Sequence, residues 1–406
     1  EVRETLIMVT MPSEAATDPL LISNLVVNGM DCMRVNCAHD DAEQWLAMIK
    51  NLRHAEQSTG KKCRILMDLA GPKLRTGPIE AGEQVVKWRP QRNRLGHVTA
   101  PARIWLYSDG ESSESPETCD ACIPVCGEWL KRLKTGSRIR FIDERGSRRS
   151  LRVVETLGHG CWTEAKQTAY VTTGTTLRVR IGKGTSAAKI YKTKLGQLPA
   201  IEQVLVLKEG DTLILTRDEV LGRPAQWSQQ GVLISPAQIG CTLPSIFADV
   251  RVGQSIWFDD GKIGGTIESV EVNQLHVRIV QARVGGEKLR ADKGINLPDS
   301  TLHQPGLTEK DIRDLPFIVA HADIVGYSFV RSAADVEELE ARLQHLNGDH
   351  LGIILKIETR RAFEQLPAML LASMSTPCDG VMIARGDLAI ECGFERLAEV
   401  QEQILW

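Results

Sequence analysis

Apolar positions recur in two rhythms along this chain, and the change of rhythm divides it into three stretches. Through the first 70 residues, short apolar runs alternate with helical patterns. Residues 5–10 form an apolar run. Asp18 and Pro19 then stand as cap and first-turn residue of a helix that Gly29 closes. Residues 32–37 read as a second strand. Residues 40–58 read as a helix, with Trp45, Leu46, Ile49 and Leu52 at helical spacing. Residues 63–69 read as a third strand. The same alternation returns after about residue 300. Helices are expected over 308–321, opened by a Thr308-to-Asp311 capping box, and over 332–346, capped by Ser332. Further helices are expected over 360–372 and 394–405, and strands over 323–330, 351–357 and 380–384.

The middle stretch, residues 77–293, has a different texture. Short Val/Thr/Arg/Ile runs are separated by Gly, Asn and Asp turns, with no long amphipathic helix. It reads as a β-rich insertion after the third strand. Within it, Gly136-Ser-Arg-Ile139-Arg-Phe141 ending in Gly146 echoes Gly253-Gln-Ser-Ile256-Trp-Phe258 ending in Gly261. The match is short and gapped, so repetition and coincidence both stay open. Residues 108–118 form a polar, low-complexity loop, expected to be mobile.

Six strand–helix units with near-continuous Val/Ile/Leu strands predict a parallel sheet buried on both faces. Polar residues gather at the strand C-terminal ends: Thr10, Arg34 and Asn36, Asp68, Ser328, Lys356 and Glu358, Arg385 and Asp387. That distribution fits the active face of a (β/α)8 TIM-type barrel better than the single crevice of an open sheet. The fold expected is α/β, an incomplete barrel of about six βα units with an inserted β-rich lid. Its domains are residues 1–76 plus 295–406 for the barrel and 77–294 for the insertion. The chain stops where a seventh strand would begin, so it is expected to be a piece of a longer polypeptide.

Composition narrows the class. The chain has 406 residues, 42% of them hydrophobic, and a net charge of −3. That balance argues against nucleic acid as the main partner. No apolar run approaches the roughly 18 residues of a membrane span, and no signal peptide is evident. Of the ten cysteines, Cys32, Cys37, Cys63 and Cys378 sit in or beside apolar runs as small hydrophobes. A reducing, cytoplasmic setting follows. Cys119, Cys122 and Cys126 could hold zinc with His159 or Cys161, but the spacing is not a paired knuckle and free surface thiols are the favoured reading. The basic stretch Arg178, Arg180, Lys183, Lys189, Lys192 and Lys194 reads as a solvated hairpin face, with an anion-facing lid edge as the rival. Its Gly-Lys-Gly-Thr segment lacks P-loop spacing.

The chemistry concentrates in two strings, Ile-Ile-Leu-Lys356-Ile-Glu358 and Val-Met-Ile-Ala-Arg385-Gly386-Asp387-Leu. Each apolar run ends abruptly in charge. A strand alternates its side chains, so Lys356 and Glu358 leave the same face at a strand end. A lysine and two carboxylates converging there suit a divalent cation and a phosphate. Taken alone, Lys356 and Glu358 could equally be a structural ion pair.

The strings resemble the pyruvate kinase family. They are Met33-Arg34-Val-Asn36-Cys-Ala-His39, Met67-Asp68-Leu-Ala-Gly71-Pro72-Lys73-Leu-Arg75-Thr76-Gly77, Phe258-Asp259-Asp260-Gly261, Lys293-Gly-Ile-Asn-Leu-Pro298, Leu307-Thr308-Glu-Lys310-Asp311, Ser328-Phe329-Val-Arg331, Lys356-Ile-Glu358 and Ala384-Arg385-Gly386-Asp387-Leu. The resemblance covers residues 5–76 and 208–406. Residues 208–294 resemble the family's lid, and 78–207 form an extra segment without counterpart.

The resemblance implies phosphoryl transfer from phosphoenolpyruvate to ADP, giving pyruvate and ATP in glycolysis. Such transfer needs alignment and charge neutralisation more than covalent help. Glu358 and Asp387 would hold Mg²⁺ or Mn²⁺. Lys356 and Arg34 would be catalytic, and Gly386 and Asp387 would complete the phosphoenolpyruvate side. Arg75, Asn36, His39, Asp260 and Lys293 would face the nucleotide, the last two from the closing lid. Rival readings remain for several of these. Arg34 could be a solvated strand end, His39 a helix-start residue and Asp260 a plain hairpin turn. Lys73 stands where potassium-dependent members carry a glutamate, and Ala38 and Leu69 replace a serine and a threonine, so potassium is expected to be dispensable. The full-length protein is expected to be a homo-oligomer. Two rivals to the kinase reading are another phosphoenolpyruvate/pyruvate barrel enzyme and a fragment that binds metal and ligand without turnover.

Overall fold

A computed structural model describes residues 4–110, 115, 117–181, 189–218, 220–374 and 378–406. The tip of the polar loop (111–114 and 116) and Lys183 with its Gly-Lys-Gly-Thr segment lie outside these residues. The chain forms two compact units, residues 1–79 with 204–406, and residues 80–203.

The first unit contains the predicted parallel sheet. Its six strands run in the order Met8–Thr10, Cys32–Asn36, Arg64–Asp68, Ile324–Tyr327, Gly352–Ile357 and Asp379–Ile383. Every adjacent pair is parallel. The strand after Asp68 is therefore Ile324–Tyr327, more than 250 residues later, and the intervening chain is an excursion from the sheet. The strands are short because a polar or charged residue stands at or near the end of most of the apolar runs, as at Thr10, Asn36, Asp68, Ser328 and Glu358. The helices between them start at the expected caps. Asp18 accepts from the Leu20 and Leu21 amides, and Asp41 from those of Glu43 and Gln44. Thr308 and Asp311 form a complete capping box. A short helical turn, Ser13–Ala16, was not expected from the periodicity. The expected 394–405 helix is a 3-10 turn, Phe394–Arg396, followed by Leu397–Leu405. A separate helix, Arg385–Cys392, precedes it, because Gly393 at φ 90° breaks the run. Apolar faces from strands and helices together form one core that includes Met33, Ile65, Met67, Trp45, Leu315, Leu339, Ile353 and Leu355.

The same unit carries a six-stranded mixed sheet. Its order is Ala237–Gly240, Thr212–Thr216, Gln274–Gln281, Ile263–Val270, Ser255–Phe258 and Ile295–Asn296. It has its own core around Leu213, Ile256, Phe258, Ile267 and Val277. We call this the lid sheet.

The second unit is a seven-stranded sheet in the order Lys189–Lys194, Thr176–Ile181, Arg138–Ile142, Arg148–Leu157, Gly160–Ala165, Ala102–Ser108 and Ala121–Val125. Leu106, Ile139, Phe141, Leu151 and Val179 lie in its core. Six consecutive strands of this extra sheet repeat the lid sheet. Each begins with a parallel pair at one edge, Ala102–Ser108 with Ala121–Val125 and Thr212–Thr216 with Ala237–Gly240. A short helical segment follows the edge strand in both, Gly127–Leu130 and Pro244–Ala248. Gly136 and Gly253 then turn at φ 86° and 89°. The Gly136 amide donates to Val153 O and the Gly253 amide to Ile267 O, both at 2.8 Å. The hairpin register slips just after each acceptor, between Val153 and Glu155 and between Ile267 and Ser269. The sequence echo between these glycines is thus matched strand for strand.

Candidate phosphoryl-transfer site

The first unit gathers charge at the C-terminal ends of its parallel strands. Lys356 is penultimate in Gly352–Ile357 and Glu358 follows that strand; both are buried. Lys356 Nζ lies 3.1 Å from Glu358 Oε1 and 3.3 Å from Asp68 Oδ2. It also donates to Ser328 Oγ at 2.7 Å. Asp68 ends Arg64–Asp68 and is wholly buried. It receives Arg34 Nε at 2.8 Å and Arg34 Nη2 more closely. Arg34 Nη1 reaches back to Thr10 Oγ1 at 2.9 Å. Two cations from different strands therefore converge on one buried carboxylate. Asp68 Oδ1 has no hydrogen-bond partner. A side chain at residue 326 would strike that oxygen, which accounts for Gly326 on the neighbouring strand.

Glu358 Oε2 accepts the Phe329 amide at 2.7 Å. Phe329 holds a left-handed backbone, φ 56°, rare for an aromatic residue, and that turn aims its amide at the carboxylate. Burial is the main influence on Glu358 and raises its pKa. Lys356 opposes that, and Asp387 pushes it further up. Asp387 sits in the first turn of Arg385–Cys392. Its two oxygens lie 3.2 and 3.3 Å from Lys73 Nζ. Lys73 also stands over the Phe329 ring, 5.6 Å from its centroid.

The expected nucleotide-side residues group differently. Arg75 Nη1 donates to Asp292 O at 3.0 Å and lies 3.4 Å from Asp292 Oδ1. Lys293 Nζ lies 3.3 Å from Asp259 Oδ1. Asp259 and Asp260 both hold positive φ, 51° and 55°, as a tight hairpin requires. Asp260 is exposed at its tip, and Asp259 is the buried member of the pair. Asn36 Oδ1 caps the Ala38 amide at 3.1 Å. His39 is exposed, and its carbonyl accepts Trp45 Nε1 at 3.0 Å. Gly386 has open space where a Cβ would stand.

Asp68, Ser328 and Phe329 received no role from the sequence. Asp68 and Ser328 were visible as polar strand ends, but their link to Lys356 depends on strand neighbourhood. The positive φ of Phe329 left no trace in the sequence. Among the described residues, no three His, Cys, Asp or Glu side chains group as a metal site, so the three-cysteine zinc arrangement is not formed. All ten cysteines are free thiols.

The family model "Pyruvate kinase, barrel domain" matches residues 2–95 and 165–406. The chain belongs to the pyruvate kinase family. It is 34% identical over 200 residues to a pyruvate kinase of Bacillus licheniformis, covering 49% of this chain and 31% of that protein. A pyruvate kinase of Geobacillus stearothermophilus is 36% identical over 203 residues, with the same 49% and 31% coverage. A Corynebacterium efficiens pyruvate kinase is 32% identical over 215 residues, 53% of this chain and 40% of that protein. These matches span less than half the length of the relatives. The family match breaks between residues 95 and 165, inside the extra sheet.

Proposed function

We propose that the first unit carries a pyruvate kinase site, transferring the phosphoryl group of phosphoenolpyruvate to ADP to give pyruvate and ATP. One observation carries this reading: a buried lysine bracketed by Glu358, Asp68 and Ser328, with Asp387 close enough to disfavour ionised Glu358. Lys356 places an ammonium where an enolate oxygen and a moving phosphoryl group both gain negative charge. Arg34, fixed by Asp68 and Thr10, presents a guanidinium for phosphate oxygens. Arg75, Asn36, His39, Asp260 and Lys293 are assigned to the nucleotide side, and the lid sheet to water exclusion.

The donor set fits a hard divalent cation. Glu358 and Asp387 are both carboxylates, burial and then the Asp387 charge raising the Glu358 pKa, and the Lys73 ammonium rests on both oxygens of Asp387. Glu358 and Asp387 would hold Mg²⁺ or Mn²⁺, which would neutralise phosphoryl and enolate oxygens. The Lys73–Asp387 contact also supports the view that a lysine supplies the charge a monovalent cation would bring, so potassium is not required. Among the described residues no helix is long and apolar enough to cross a membrane. We assign the protein to the cytoplasm, and its full-length form to a homo-oligomer.

The test is a lactate-dehydrogenase-coupled assay with phosphoenolpyruvate, ADP and Mg²⁺, with and without potassium, beside calorimetry with oxalate. ADP-dependent pyruvate formation without potassium is expected. Mg²⁺-dependent oxalate binding without turnover would reduce the chain to a binding fragment. Failure of both would remove the kinase reading.

A further inference from the structure

The extra sheet and the lid sheet share an order of strands but not an outward face. Counting from the matched glycines, Arg138 and Arg140 stand where the lid sheet has Ser255 and Trp257. Arg152 pairs with Arg138 as Thr266 pairs with Ser255. Arg178 pairs with Arg140 as Asn296 pairs with Trp257. Four neutral positions in one copy are four arginines in the other. Lys192, directly opposite Arg178, and Arg180, at the next outward position of its strand, extend the patch. All six cations are exposed, and among the described residues none takes part in an ion pair. The patch ends at an acid, Glu164, opposite Arg152.

This arrangement works against stability. Like charges directly opposite on neighbouring strands repel. Lys192, Arg178 and Arg140 form an unbroken row of three across three strands. The charge is concentrated in this unit. Residues 80–203 hold 21 Lys and Arg against 13 Asp and Glu, a net +8, which leaves −11 on the remainder of a chain totalling −3. A solvated hairpin face would need no such accumulation.

We propose that the outward face of the extra sheet binds the phosphate backbone of a single-stranded nucleic acid, independently of the phosphoryl-transfer reading. Alternate residues along a strand are about 6.7 Å apart and neighbouring strands about 4.8 Å. The six cations therefore form a grid whose spacing suits successive phosphates. Five of the six cations are arginines, whose fork matches phosphate oxygens. Among the described residues all six cations lie on strands, and none stands on a helix that could enter a major groove. No aromatic side chain belongs to the six-cation grid, so contacts are to backbone and base preference is weak.

The test is fluorescence anisotropy of the whole chain with labelled 20-mers of oligo(U) and oligo(dT). Binding at 50 mM salt is expected, similar for both. With three to six phosphates neutralised, affinity should fall roughly 20- to 300-fold by 200 mM salt. The triple variant R140E/R178E/K192E should lose binding, while K208E/R283E/K288E in the other unit should retain it. R140Q/R178Q/K192Q separates folding from binding: it should lose affinity yet melt at a higher temperature, because the like-charge row is gone. Three results would each overturn the proposal. They are no binding at 50 mM salt, binding unchanged in the triple glutamate variant, and polyglutamate or phosphatidylserine vesicles captured as tightly as the oligonucleotides.

Discussion

The lid sheet and the extra sheet pose a controlled comparison within one chain. Both carry a parallel edge pair, a short helical segment, a glycine turn and a slipped hairpin in the same order. Their inward positions keep equivalent apolar residues, Ile256 and Phe258 in one and Ile139 and Phe141 in the other. Their outward positions diverge from neutral to basic. Burial constrains volume and polarity, because an unfilled or polar core position costs stability directly. Outward positions are held by what they meet, which is solvent for Arg178 and the Glu391 carboxyl for its counterpart Asn296. The two copies therefore share an architecture while presenting different chemistry, and the family match is interrupted over residues 96–164 of the extra sheet.

The largest expected effects test the shared architecture. Phe141→Ala and Phe258→Ala should each cost about 3–5 kcal/mol, because both rings lie in equivalent cores. Denaturant melts followed by hydrogen exchange would show whether each lesion stays in its own unit. A harmless Phe141→Ala would mean the extra sheet is not a packed copy. Next comes the division of chemistry. Lys356→Met should lower kcat by about 100- to 1,000-fold. The R140E/R178E/K192E triple should leave turnover unchanged in the same coupled assay, and a parallel loss would tie the basic face to the site.

Acid and base should separate the units more gently. Burial, aided by Asp387 and Asp299, pushes the Glu391 pKa up from 4.5 to about 7. Asn296 Nδ2 lies 3.4 Å from Glu391 Oε1. A raised carboxyl favours the folded state while protonated. Its contribution is complete below pH 4.5, fades as pH rises through about 7 and is worth on the order of 3 kcal/mol. In metal-free protein, Glu391→Gln should flatten the first unit's stability over that range. Asp143 in the extra sheet behaves oppositely. Burial would raise it, but the Ser147 amide and the Arg145 and Arg149 guanidinium groups outweigh burial and hold it below 3.8. Its stabilisation is present above pH 3.8 and is lost as pH falls through the lowered value. Thermal melts from pH 3 to 8 should show the extra sheet weakening first in acid. The smallest effect is a matched pair. Gly136→Ala and Gly253→Ala meet no neighbour within 4 Å but must adopt positive φ, and each should cost about 1 kcal/mol. Unequal costs would show that the two turns are not equivalent.

Local sequence determined the alternation of strands and helices, the caps at Asp18, Thr308 and Ser332, and the charged strand ends that mark the candidate site. These are short-range signals, set by periodicity and by side chains reaching backbone within a few residues. Tertiary structure alone decided which strand ends meet. Asp68 becomes the shared partner of Arg34 and Lys356 because its strand lies next to that of Arg34 and two places from that of Lys356, with Ile324–Tyr327 between. Lys73 reaches Asp387 across 314 residues of sequence. Half of the basic face, Arg178, Arg180 and Lys192, stood in the sequence as a basic stretch, whereas Arg138, Arg140 and Arg152 join it only through strand pairing. Strand pairing brings every second residue of separate strands onto one surface, and no linear pattern announces which strands those will be.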